Sequence, residues 1–231
     1  GLATRVIIVR HGQSTYNAEK RIQGRSDLSV LTDKGKADAQ KVGQTLNSLA
    51  IDKIYCSPLS RAKETAQIIQ GSFAQPPELI PSENLLEVNL PLWEKMTKDD
   101  VARQYPEQYR LWHEAPDQLA MPVDGAEYYP VAALYAQAER FWQDVLTGAA
   151  GQTLLIVAHN GINRCLLMSA IGMPASHYQR LQQSNCNINV LNFSGGWGDP
   201  VQLESLNQTA HMGVPLPPPR KDNNRLRLLL I

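Results

Sequence analysis

The chain has 231 residues, enough to bury a full core as one α/β domain. Lys plus Arg and Asp plus Glu number 22 each, so there is no general basic field for nucleic acid, and no apolar run approaches the roughly 20 residues of a membrane-spanning helix. The three cysteines, Cys56, Cys165 and Cys186, form no C-x-x-C pair. Cys56 and Cys165 sit in apolar runs, where buried thiols are expected, and an odd count with no leader-like N-terminus fits a reducing cytoplasm.

The first element is the apolar run Val6–Val9, a strand that ends in Arg10-His11-Gly12-Gln13-Ser14. Glycine there permits a tight turn and close approach to a ligand. A helix is expected from Asp33 to about Leu49, with Thr32 as its N-cap and Ala37, Val42, Leu46 and Leu49 near helical spacing. A second strand, Lys53–Cys56, leads into Ser57-Pro58-Leu59-Ser60-Arg61. Ser57 is the expected N-cap and Pro58 the first helical residue, which places Arg61 in a first turn whose free N–H groups favour an anion. Residues 84–123 form a long insertion rich in Glu, Tyr and Trp, expected as short helices over the sheet's carboxyl edge. Its Trp93, Tyr105, Tyr109 and Trp112 are expected chiefly to pack that cap. A helix from Pro130 to Leu146 carries Val131, Leu134, Ala138, Phe141 and Val145 on one face. The run Thr153–Ala158 ends in His159-Asn160-Gly161 and is followed by an apolar helix, Ile162 to Ile171. Asn187–Phe193 and Val201–Leu206 read as a hairpin-like pair joined through Gly195-Gly196.

Strands alternating with helices predict an α/β fold: a doubly wound, mostly parallel sheet flanked by helices, with the helical cap inserted over its carboxyl edge. Such sheets bind ligands in crevices outside the carboxyl ends of their strands. Arg10, Arg61, His11 and His159 would meet on that rim and form a phosphate trap, because guanidinium forks match phosphate oxygens. A histidine there can act as a nucleophile. Phosphoryl transfer needs mostly positioning and charge stabilisation, which two arginines and a second imidazole can supply. The sequence contains no H-E-x-x-H, cysteine pair or P-loop, so it offers no rival metal or nucleotide site, and neither metal nor cofactor is expected.

The motifs Arg10-His11-Gly12-Gln13-Ser14, Asn17, Gly24, Leu31-Thr32-Asp33-Lys34-Gly35, Ser57-Pro58-Leu59-Ser60-Arg61-Ala62-Lys63-Glu64-Thr65-Ala66, Leu86-Glu87, Leu92-Trp93-Glu94 and His159-Asn160-Gly161 resemble the histidine phosphatase superfamily in sequence and order. The resemblance is to the branch of cofactor-dependent phosphoglycerate mutases and their phosphatase relatives, and it runs from Arg5 to about Asn207. It implies His11 as a phosphorylated nucleophile and Arg10, Arg61 and His159 as the grip on the phosphoryl oxygens. It implies Glu87 as general acid and base, ahead of its competitors Glu83 and Glu94, and Asn17, Gln23, Gly24 and Asn160 as the rest of the pocket. The family's glycines on either side of Leu92-Trp93-Glu94 are replaced by Pro91 and Lys95, so a stiffer or displaced acid loop is expected. His113, His177 and His211 lie outside the motifs and receive no role.

Hydrolysis of a small phosphomonoester is the leading reading. Mutase chemistry and a non-catalytic phospholigand sensor remain alternatives. Glu87 is followed by Val88-Asn89-Leu90-Pro91 and not by the Arg-His-Tyr-Gly-like segment of the mutases, which favours hydrolysis. The partner is a small phosphorylated metabolite, with no nucleic acid or membrane, and the oligomeric state is left open. By domain, residues 1–210 form the phosphatase unit with its cap at 84–123, 211–225 a proline-rich linker, and 226–231 an apolar strand. That ending, Asn224-Arg225-Leu226-Arg227-Leu228-Leu229-Leu230-Ile231, echoes the opening Thr4-Arg5-Val6-Ile7-Ile8-Val9, so a second similar domain downstream is one expectation and a native C-terminal strand the other.

Overall fold

The computed structural model describes residues 2–217 and 228–231. Its central sheet begins with β1 (Thr4–Arg10), whose side chains alternate between two apolar cores. Val6 and Ile8 enter one, Ile7 and Val9 the other. A strand buried on both faces reads as a continuous apolar run, which is how this one stands in the sequence.

A short helix, α1 (Thr15–Glu19), follows, capped by Ser14 in a reciprocal box with Asn17. Next come α2 (Asp33–Leu46), β2 (Lys53–Cys56), α3 (Ser60–Gln70) and β3 (Glu78–Pro81). Thr32 caps α2 as expected, accepting from the Gly35 N–H, but the helix stops at Leu46 and not Leu49. Helix α3 departs further from expectation. It begins at Ser60 behind Leu59, which supplies no side-chain cap, and Ser57 and Pro58 lie outside it. The Ser57 hydroxyl is 2.7 Å from His159.

The cap contains α4 (Lys98–Gln104) and α5 (Pro106–Glu114), with irregular chain before them. The hairpin β4 (Met121–Val123) and β5 (Ala126–Tyr128) leads into α6 (Pro130–Leu146), with the bounds the sequence indicates. Then come β6 (Thr153–Ala158), α7 (Asn160–Ile171), β7 (Ile188–Phe193) and β8 (Val201–Gln208). Helix α7 starts two residues earlier than expected, because His159 is already its N-cap.

The sheet order is β3-β2-β6-β1-β7-β8. The first four strands run parallel, and β7 and β8 complete the sheet antiparallel. Helices α2 and α3 cover the face that carries Ile7, Val9, Ile54 and Val157. Helices α6 and α7 cover the opposite face, together with cap residues such as Trp93 and Val101. Parallel β1, β2 and β6 therefore end on the same rim.

All three cysteines are buried free thiols. Burial pushes Cys56 up to about 11 and Cys186 up to about 12, so both stay protonated at neutral pH. Residues 218–227, which include most of the expected linker and the start of the expected terminal strand, lie outside the described residues. Residues 228–231 are exposed and form no strand. The 3-10 turn Ala210–Met212 is held to the rest of the fold, because the ring of His211 is 2.7 Å from the Cys186 carbonyl. The sequence assigns that histidine no role; in the structure it contacts the backbone just before β7. Among the described residues no helix is long and apolar enough to cross a membrane.

Candidate active site

The ladder between β1 and β6 runs one residue past its strands, with the His11 N–H donating to Ala158 O at 2.9 Å. The chain then turns through Gly12, where a Cβ would overlap the Gly35 carbonyl; a Cβ on Gly35 would in turn overlap the carbonyl of Gln13. This mutual contact explains why the Leu31–Gly35 motif accompanies Arg10-His11-Gly12. The Thr65 hydroxyl accepts from the Gly12 N–H at 3.1 Å and donates to Arg61 O at 2.7 Å, tying the His11 turn to α3.

The His11 Nδ1 is 2.7 Å from Gly12 O. A carbonyl can only accept, so Nδ1 carries the proton and Nε2 keeps its lone pair. Burial holds the imidazole well below the ordinary 6.5, helped by the cations of Arg61 and then Arg10, while the Gly12 bond acts in the opposite sense. His11 is therefore neutral at physiological pH with its bare nitrogen defined.

Arg61 is fully buried in the first turn of α3. Its Nη1 donates to Ser26 O at 2.7 Å and its Nη2 to Gly24 O at 2.9 Å, and its Nε finds no partner among the described residues. Burial lowers its pKa, opposed first by the charge of Glu87. Arg10 is half-buried, with Nη1 donating to Gln183 O at 2.7 Å. The ring of His159 meets that of His11 edge-on, centroids 5.2 Å apart, and its Nε2 is 2.7 Å from Ser57 Oγ. That hydroxyl accepts from the Leu59 N–H and keeps both its hydrogen and a second lone pair for Nε2, while the His159 Nδ1 has no partner among the described residues. Burial, then Arg61, His11 and Arg10, keep this ring neutral as well.

Glu87 lies across the rim. Its carboxylate accepts from the Gly161 and Ile162 N–H groups at 3.0 Å each, at the N-terminus of α7, and from its own neighbour Val88 at 2.8 Å. A Cβ on Gly161 would come within 2.6 Å of Glu87 Oε1, so only glycine lets the helix end approach this closely. The competitors are elsewhere: Glu83 is exposed, and Glu94 accepts from the Arg25 N–H at 2.9 Å, packed against Gly24. Lys95, where the family pattern has glycine, adopts φ 71°, so the loop keeps a glycine-like turn without glycine.

Arg10, Asn17, Gln23, Gly24, Glu87 and Asn160 line a cavity of about 200 Å³, with His11, Arg61 and His159 buried behind it. Asn17 Oδ1 accepts from the Ser14 N–H at 3.1 Å and Gln23 Oε1 from the Ser14 hydroxyl at 2.7 Å. Trp93 is fully buried and packs the cap as expected, whereas Tyr109 and Trp112 pack against it and also face the cavity. His113, given no role from sequence, lines the same space, as do Lys98, Arg164 and Tyr178. Nothing in the sequence distinguished these from ordinary cap or core residues. Ser57 was visible but misread as a helix cap, and Asn185, which donates to His11 O at 3.0 Å, lay outside every motif.

Fold and site together define a doubly wound α/β protein with a buried cationic pocket and an unprotonated imidazole nitrogen at its strand ends. The chain belongs to the histidine phosphatase superfamily (branch 1), whose family model matches residues 6–207. It is 38% identical over 210 residues to the 2-carboxy-D-arabinitol-1-phosphatase of Triticum aestivum, a match covering 90% of this chain and 41% of that protein, so the chain spans less than half of that relative. It is 28% identical over 209 residues to phosphoserine phosphatase 1 of Hydrogenobacter thermophilus, covering 90% of this chain and 94% of that protein. Bacillus stearothermophilus YhfR superposes with a TM-score of 0.81 at 26% identity, over 90% of this chain and 99% of that one.

Proposed function

We propose that this chain hydrolyses a small phosphomonoester through a phosphohistidine on His11. The observation that carries this is the His11 Nδ1 bond to Gly12 O, which leaves Nε2 bare in a ring kept neutral by burial and two arginines. Arg10, Arg61 and His159 hold the phosphoryl oxygens. His11 Nε2 attacks phosphorus, the bond to the ester oxygen breaks, and Glu87 gives that oxygen its proton. Glu87 then takes a proton from water, whose oxygen attacks phosphorus and breaks the P–N bond, returning free imidazole and inorganic phosphate. The cavity under Tyr109, Trp112 and Tyr178 receives the organic part of the ester.

Hydrolysis is favoured over mutase chemistry because Val88 and Leu90, just after Glu87, are buried in the core, so the segment that follows the acid adds no cation to those, such as Lys98 and Arg164, that other elements bring to the cavity. The relatives named as phosphatases of phosphoserine and of a carboxypentitol phosphate support a small, polar ester. Brief incubation with a labelled phosphomonoester followed by quenching tests the reading. The wild type acquires acid-labile, base-stable phosphate; His11→Ala acquires none and does not turn over. Turnover by His11→Ala would overturn the mechanism.

A further inference from the structure

Glu87 sits on irregular chain between a 3-10 turn, Glu83–Leu85, and the turn beginning at Pro91. No helix or strand fixes its backbone. Two side chains from distant parts of the sequence do so instead. Gln137, buried in α6, donates through Nε2 to Asn84 O at 3.0 Å and to Leu86 O at 2.9 Å. Its Oε1 accepts from Arg25 Nη2 at 3.0 Å, and Arg25 Nε donates to Glu87 O at 3.0 Å. The amide's two hydrogens and its oxygen are all used, and only one amide orientation satisfies two carbonyls and a guanidinium together. Three carbonyls of residues 84–87 are thus tied to one two-residue polar unit.

The other end of the unit reaches the phosphoryl pocket. Arg25 follows Gly24, whose carbonyl receives Arg61 Nη2, and the Arg25 N–H donates to Glu94. One residue therefore links the chain that holds Arg61 to the chain that carries Glu87. Neither Arg25 nor Gln137 lines the cavity, and the hydrogen bonds of both side chains run to each other and to the backbone of residues 84–87.

We propose that Arg25 and Gln137 are positioning residues that set the reach of the Glu87 carboxyl to the ester oxygen. This rests on the phosphatase reading above. The alternative is that the pair only satisfies buried carbonyls. The two roles differ in what they do to leaving groups. A misplaced acid harms esters with poor alkoxide leaving groups and largely spares nitrophenyl phosphate, whose leaving group needs little protonation. A general loss of fold harms both alike.

The test is steady-state kinetics of Arg25→Met and Gln137→Met on an alkyl phosphate and on nitrophenyl phosphate, in wild-type and Glu87→Gln backgrounds. Both substitutions keep side-chain bulk and remove the hydrogen bonds. In the wild-type background we expect kcat/KM, which reports phosphoryl transfer and not the later hydrolysis common to both esters, to fall about 10- to 100-fold on the alkyl ester, part of what a general acid supplies, and by no more than about threefold on nitrophenyl phosphate. In the Glu87→Gln background, where the acid is already gone, the same substitutions widen the gap no further. Arg25→Lys, which keeps a cation and a donor, recovers part of the alkyl activity and serves if Arg25→Met fails to fold. Equal losses on both esters, or an undiminished effect without Glu87, would overturn the positioning role alone. No turnover by the wild type would overturn the phosphatase reading and this proposal with it.

Discussion

His11 and Glu87 meet opposite demands within one rim. His11 must stay unprotonated, and burial with Arg61 and Arg10 keeps it so far below the usual imidazole range. The rate should therefore hold as pH falls through 6.5, and an acid limb assignable to His11 should appear only well below that value in kcat/KM for nitrophenyl phosphate. A limb centred near 6.5 would show that the active imidazole is an exposed one. Glu87 is tested by Glu87→Gln, which keeps the shape and removes the acid. General acid help is worth about 10²–10⁴-fold, so an alkyl phosphate should lose that much in kcat/KM while nitrophenyl phosphate loses far less. Equal losses would move the proton to another group. Much of this chemistry was visible as residues: Arg10, His11, Arg61, Glu87 and His159 all come to one rim. The contacts around them were not: Ser57 stands in a motif but its bond to His159 is not written there, and Asn185, Arg25 and Gln137 reach backbone carbonyls that no local pattern marks.

Elements with strong periodicity or continuous apolar character were legible, as in β1, β6 and α6. Their signals come from burial, which dominates both pattern and packing. Helix ends were harder to place: α3 begins at Ser60 behind Leu59, past Ser57, whose hydroxyl contacts both the Leu59 N–H and His159. The acid loop shows the same limit. Pro91 and Lys95 suggested a displaced loop, yet Lys95 takes the positive φ that glycine takes easily, and its N–H donates to Ile22 O at 2.9 Å to bind the cap to residues 20–22. A left-handed conformation costs a non-glycine residue about 1–2 kcal/mol. Glycine relieves that strain but gains freedom in the unfolded chain, which offsets about 0.4–1 kcal/mol. Lys95→Gly should therefore stabilise the protein by roughly half a kcal/mol, seen as a higher urea midpoint at unchanged slope. A lower midpoint would mean that the lysine side chain contributes more than its backbone costs.

At the scale of the whole molecule, the pocket makes stability depend on pH. Both His11 and His159 are buried, neutral and surrounded by arginines, so protonating either in the folded state is unfavourable. In the unfolded chain each imidazole protonates near the ordinary value of 6.5. Below that pH the unfolded state binds more protons than the folded one, so the stability present above 6.5 is progressively lost on acidification. His211, also lowered by burial, adds to the trend. Each such histidine contributes up to about 1.4 kcal/mol per pH unit in this window. The ligand-free protein should therefore lose stability steeply between pH 6.5 and pH 5, above the range in which most carboxylates titrate. Urea denaturation at half-unit pH steps measures the slope. The variant His159→Gln, which removes one titrating ring and keeps a polar side chain, should flatten that slope by up to one histidine's share. A slope that is flat in the wild type, or unchanged in His159→Gln, would show that the folded pocket accommodates the imidazolium and that burial beside Arg61 is not what keeps His159 neutral.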